Sequence, residues 1–154
     1  MKAEIAKLWA ERLRNMPEGT QGAGQLGKED GSRCCLGVLC DLAVEANIIP
    51  APVKSSDPGA TDLIYGSDPR RGVGSNKIGE VCYLPDKVKE WAGMSTVNGS
   101  IQGEVDGGPA MLEIPQTLEY NIRALHWNSL ADANDCSVPF DLIAGGIEKH
   151  AEQL

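Results

Sequence analysis

Cys34 and Cys35 stand side by side after Arg33, at the head of the apolar run Leu36-Gly37-Val38-Leu39-Cys40-Asp41-Leu42-Ala43. A thiol at a helix N-terminus faces the positive end of the helix dipole, which lowers its pKa and favours the thiolate. The neighbouring Arg33 adds to this. Such a nucleophile needs a base, usually histidine, oriented by an amide or carboxylate. The chain has two histidines. His126 is placed in a helix and His150 in the tail, so Cys34 or Cys35 with His126 and Asn134 or Asp135 is the one nucleophilic set to consider. The competing reading is plain packing, because free cysteine behaves as a small hydrophobe. Cys40, one turn on, fits that reading, and we take packing as the default.

Other chemistry has weaker support. Cys34, Cys35, Cys82, Cys136 and His126 offer enough zinc ligands, but there is no C-x-x-C pair and adjacent cysteines suit one tetrahedron poorly. No metal and no cofactor is therefore expected. Gly72-Val73-Gly74-Ser75-Asn76-Lys77 lacks the spacing of a phosphate loop. Arg70, Arg71 and Lys77 still form a basic group on an acidic chain. With Arg33, and with Trp91 as a stacking face, they make a candidate site for a small anionic ligand of nucleotide type. The competing reading is a solvated basic loop. Glu104, Asp106, Asp132 and Asp135 carry no glycosidase signature, and Asp106 and Asp135 are read as turn formers. Trp9, Trp91 and Trp127 fall at apolar helical positions and read first as core.

The 154 residues fit one domain, 1–154, large enough to bury a core without staples. A net charge of −8 disfavours general attraction to DNA or RNA. No apolar run is long enough to span a membrane, and Met1-Lys2-Ala3-Glu4 does not open like a secretion signal. Five cysteines, an odd number, read as reduced thiols of a cytoplasm.

Eighteen glycines and nine prolines point to turns and long loops around a limited set of elements. Ile5, Leu8, Trp9 and Leu13 predict an amphipathic helix over residues 3–15, stopped by Pro17 and Gly19. Gln25-Leu26-Gly27 and Ser32-Arg33-Cys34 predict a hairpin about Asp30-Gly31. Residues 35–47 predict the central helix, apolar almost all round. Gly37 costs about 1 kcal/mol there relative to alanine, which calls for a reason, and close approach of another backbone is the natural one. Leu63-Ile64-Tyr65 and residues 77–84 read as strands, and Pro85-Asp86 to Ala92 as a helix ended by Gly93. Ile101 and Val105 flank a hairpin. A further helix is expected from Gln116 to Asn128 or Ala133. Phe140, Ile143 and Ile147 form the stripe of a last helix that frays into an acidic tail. Residues 53–80 and 95–115 are loop-rich excursions. The fold class expected is α+β, with four to five helices packed on a small antiparallel sheet.

The order of Trp9 to Leu13, Gln25-Leu26, Cys34 to Leu42, Leu84-Pro85-Asp86 with Glu90-Trp91-Ala92-Gly93, and Leu130 to Asp135 with Phe140 to Ala144 resembles a widespread family of small proteins of tailed bacteriophages and prophages. The "CCLGVLCDLA" helix is its most specific part. The chain departs from the pattern at Ala133 and at Gly145-Gly146. The resemblance brings no activity with it. It implies a phage accessory protein in the host cytoplasm. On that basis we read a non-enzymatic binder that counters host defence by sequestering a nucleotide-type signal or blocking a host protein. The alternatives are a cysteine-dependent hydrolase or transferase using Cys34 or Cys35 with His126, and a structural or protein-interaction module. A homo-oligomer is compatible with all three.

Overall fold

Ile5, Ala6, Trp9, Ala10 and Leu13 fall on one side of the first helix, α1 (Ala3–Arg14), and all are buried. The computed structural model describes residues 1–66, 79–101, 104–105, 108–109, 112–113 and 126–154. Leu8, expected on the inner face, is turned outward and 44% exposed. It lies between the buried side chains of Ile5 and Trp9 in sequence but points away from both, so the apolar stripe is narrower than the hydrophobic pattern implied.

The central helix, α2 (Cys35–Glu45), buries every residue from Cys35 to Cys40, then Leu42 and Ala43. Asp41 and the C-terminal turn are the parts that reach solvent. Ahead of it, the anticipated hairpin is reduced to bridges. Gly27 pairs with Arg33 in antiparallel fashion, and Gln21 pairs with Arg33 in parallel. The turn has the expected chemistry: Gly31 has φ +93°, and the Ser32 N–H donates to Asp30 Oδ1 at 2.8 Å.

Strand β1 (Val53–Lys54) pairs antiparallel with β2 (Leu63–Ile64), and Lys28 bridges to Asp62 beside them. The described part of the predicted 77–84 strand is instead a single helical turn, α3 (Gly79–Cys82). Its Val81 carbonyl accepts from the Leu26 N–H, so this turn is held against the segment that precedes α2. Helix α4 (Asp86–Ala92) begins after Pro85 as expected and ends at Gly93, whose φ of +67° is the left-handed stop that glycine permits. Val88 is fully buried and Trp91 half-buried.

Two further antiparallel pairs are β3 (Glu104–Val105) with β4 (Gly108–Pro109), and β5 (Leu112–Glu113) with β6 (His126–Trp127). The long helix expected to reach Asn128 or Ala133 is therefore corrected over its described part. His126 and Trp127 are strand residues, and a short helix, α5 (Leu130–Asp135), begins only after Ser129. The cause is local: the Ser129 hydroxyl accepts from the Asp132 N–H at 3.1 Å and starts a new helix at that point.

The last helix, α6 (Phe140–His150), carries Phe140, Ile143 and Ile147 inward as its spacing predicted. It packs mainly on α1. Beyond it the chain end is anchored, where a fraying tail was expected. Leu154 is buried, and its carbonyl accepts from the Ser95 N–H at 2.6 Å. The α+β class stands: the described residues form five helices of six residues or more with small antiparallel strand pairs, gathered around α2.

Candidate functional site

The N-terminal end of α2 is where the sequence concentrates its candidate chemistry, and the fold converges on it. The first four N–H groups at such an end have no partners within the helix. Here each has a named partner. The Cys34 N–H donates to the Leu26 carbonyl at 3.2 Å. The Cys35 N–H donates to Asn134 Oδ1 at 3.0 Å. The Gly37 N–H donates to Cys34 Sγ at 3.4 Å, and the Leu36 N–H also bonds this sulfur. Cys34 is thus the N-cap, with its sulfur in the role a serine oxygen usually takes.

Asn134, on the last turn of α5, spends both ends of its amide here. Its oxygen takes the Cys35 N–H, and its Nδ2 donates to the Gly22 carbonyl at 2.8 Å. Asp135 Oδ1 accepts from the Gly24 N–H at 2.9 Å. Asp135 is therefore not a turn former but a tether for the glycine-rich arm of residues 21–27. Trp9 of α1 donates its indole N–H to the Cys35 carbonyl at 2.9 Å. Three helices, α1, α2 and α5, thus meet on the backbone of Cys35, and Cys35 Sγ turns to the Leu130 carbonyl at 3.4 Å.

Gly37 shows why the arm can lie so close. A Cβ at this position would sit 1.6 Å from the Leu26 carbonyl oxygen. The arm crosses the helix at backbone contact, as the glycine implied.

This packing reverses the expected ionisation of the thiols. Cys34 is 6% exposed and Cys35 is fully buried. Burial pushes the Cys34 thiol up to about 11, against the smaller downward pull of its hydrogen bonds from Gly37 and Leu36. Burial also drives Cys35 and Cys40 well upward. The helix dipole acts in the anticipated direction, but removal of water outweighs it.

Arg33 likewise does not face outward. Its Nε donates to Asp41 Oδ2 at 2.8 Å, and its Nη1 donates to the carbonyls of Lys28 and Ser32. The Tyr65 hydroxyl donates to the other Asp41 oxygen at 2.6 Å. Arg33, Asp41 and Tyr65 form a partly buried clasp that ties β2 and the arm to the first turns of α2. Burial, with the bond to Asp41, raises the Tyr65 phenol far above its ordinary range.

The remaining candidates are dispersed. Trp91 lies on α4, and its carbonyl accepts from Lys2 Nζ at 2.7 Å. Arg70, Arg71 and Lys77 lie outside the described residues, as does Asp106, and only the backbone of His126 is described, in β6. No cluster of three or more metal-ligating side chains occurs among the described residues. The residues that sequence reasoning did not assign to this junction are Trp9, Asp41 and Tyr65. The Asp41 carboxylate within an otherwise apolar helix was the available signal, since a buried carboxylate requires partners.

A family model described as a domain of unknown function, DUF8296, matches residues 1–151, and the chain belongs to this family. No curated protein matches the chain, and no solved structure matches it. None of the described helices is long and apolar enough to cross a membrane.

Proposed function

We propose that this chain is a non-catalytic binding protein, a phage accessory protein that acts in the host cytoplasm against host defence by taking up a small anionic ligand of nucleotide type. The observation that carries the non-catalytic part is the state of the Cys34/Cys35 end of α2. Both thiols are buried and held protonated, and Asn134, the residue that would orient a catalytic base, is committed to the backbone of Cys35 and Gly22. A nucleophile that turns over an outside substrate needs a thiolate and a path by which that substrate reaches it. This end has instead the properties of a rigid support.

The anionic-ligand part rests on Arg70, Arg71 and Lys77 and on how their segment is flanked. On one side Tyr65 is locked to Asp41, and on the other Val81 is held by the Leu26 N–H. Both flanks are therefore fixed to the arm and the first turns of α2. The phage and anti-defence setting rests on the sequence resemblance.

The test is a thermal-shift panel of cyclic mononucleotides, cyclic dinucleotides and ADP-ribose derivatives. The expected result is a rise of several degrees with at least one member, lost in a triple Arg70→Ala, Arg71→Ala, Lys77→Ala variant. A flat response across the panel removes the nucleotide form and leaves blocking of a host protein as the surviving version. Iodoacetamide labelling at neutral pH checks the non-catalytic part. Cys34 and Cys35 are expected to react only on unfolding, and rapid labelling of either in the folded protein would sink it.

A further inference from the structure

Leu26 brings two cysteines distant in sequence to the same peptide. Its carbonyl accepts from the Cys34 N–H at 3.2 Å, and its N–H donates at 2.6 Å to the carbonyl of Val81, the residue before Cys82. Cys34 and the end of α3 are therefore neighbours across one residue. The electrostatics point the same way, from Cys82 toward Cys34, and Asp135 acts on both. Their access differs. Cys34 is 6% exposed, whereas Cys82 is only partly buried. The other thiols are placed elsewhere: Cys35 is directed at the Leu130 carbonyl, Cys40 lies deep in the core, and Cys136 is exposed beyond the end of α5.

We propose that Cys34 and Cys82 form an oxidation-linked pair, which a peroxide converts into a disulfide between the N-cap of α2 and the end of α3. The accessible thiol reacts first. Cys82 attacks one peroxide oxygen, the O–O bond breaks, and the products are the Cys82 sulfenic acid and one water. The Cys34 sulfur then attacks the Cys82 sulfur. The S–O bond breaks, the S–S bond forms, and the departing hydroxide leaves as water with the Cys34 proton. Two thiols are oxidised by two electrons in all, and one hydrogen peroxide is reduced to two waters. The cross-link would hold α3 against the arm covalently, where the native contact between Leu26 and Val81 is a backbone hydrogen bond. Burial raises the pKa of both thiols and leaves little thiolate at neutral pH, so the reaction is slow there and faster as the pH rises. This proposal stands apart from the anionic-ligand reading and needs none of Arg70, Arg71 and Lys77.

The experiment exposes the full chain to a small excess of hydrogen peroxide, blocks the remaining thiols under denaturing conditions, and maps the peptides without reduction. The expected product is a Cys34–Cys82 peptide pair lighter by two hydrogens and reversed by dithiothreitol, with two of the five thiols lost to titration. Its midpoint of thermal unfolding should lie above that of the reduced protein. Cys82→Ser, at the more exposed position, should abolish the product while Cys136→Ser leaves it intact. A Cys34–Cys35 bridge as the main product, dimers joined through Cys136 alone, or Cys82 passing to sulfinic acid while Cys34 stays free would each overturn the pairing.

Discussion

The N-terminal end of α2 and the outer face of α1 both join distant parts of the chain through polar groups, and they differ in what surrounds those groups. At the first, neutral amides, a thiol and an indole meet out of water, and each buried donor has an acceptor. At the second, Arg12 forks onto Glu45 and Arg14 forks onto Glu148, with donor–acceptor distances of 2.7–2.8 Å in each pair. By geometry the ion pairs are the better bonds. Yet Arg14 and Glu148 are 41% and 45% exposed, and exposed pairs exchange one good solvation for another. The buried amides have no such alternative: remove one partner and the other is stranded. The contrast teaches that in this molecule burial, and not charge, decides which polar contact matters.

Four measurements put that contrast to the test. The largest effect should come from Gly37→Ala, read by denaturant unfolding. The added methyl meets the Leu26 carbonyl and forces arm and helix apart, so a loss of about 3–5 kcal/mol is expected. A loss under about 1 kcal/mol would show that the crossing relaxes freely. Asn134→Ala comes next, at about 2–4 kcal/mol, because it strands both the Cys35 N–H and the Gly22 carbonyl. An effect no larger than that of a surface alanine would dissolve the distinction between the two regions.

Third in size is the alkaline titration of stability. Cys34 rises from 9.0 to about 11 in the folded protein, and Cys35 and Cys40 move the same way. Between those limits the folded state keeps protons that the unfolded chain releases. Stability is therefore fully present below about pH 9 and lost as the pH rises toward 11, with Cys34 alone accounting for roughly 2–3 kcal/mol. The ion pairs titrate at the opposite end. Glu45 and Glu148 are held low chiefly by their hydrogen bonds from Arg12 and Arg14, so their contribution is lost as acid protonates them. Unfolding midpoints measured from pH 7 to 11 test the first limb, and a flat curve would contradict buried thiols. The smallest change should come from Arg14→Ala, below about 1 kcal/mol and weaker still in high salt.

The elements with strong local signals were readable from sequence, and for physical reasons. Ile5, Trp9 and Leu13 set α1, Pro85 and Gly93 bracket α4, and the Phe140/Ile143/Ile147 stripe sets α6. Gly37 announced a backbone crossing because nothing else justifies glycine in a buried helix. What failed depended on tertiary context. The apolar residues near Trp127 look helical, but strand pairing with Leu112 and the Ser129 cap override them. The turn at Gly79–Cys82 has too few residues to show a period. The site was readable in location and misleading in chemistry. The dipole at Cys34 can be inferred from a helix start, but the depth of burial that cancels it requires the arm, α1 and α5 in place. Arg33 read as an outward cation because its partner Asp41, two turns along, was hidden in an apolar run.

The pairing of α1 with α6 has a consequence for synthesis. Helix α1 leaves the ribosome well before its main partner α6, and the Met1 amino group donates to the Ala151 carbonyl. Until α6 emerges, the Ile5/Trp9/Leu13 face has much of its cover missing. Contacts of such long range incur loop-closure entropy before they return any stability. A nascent chain stalled before residue 140 should therefore expose this apolar face to chaperones and proteases.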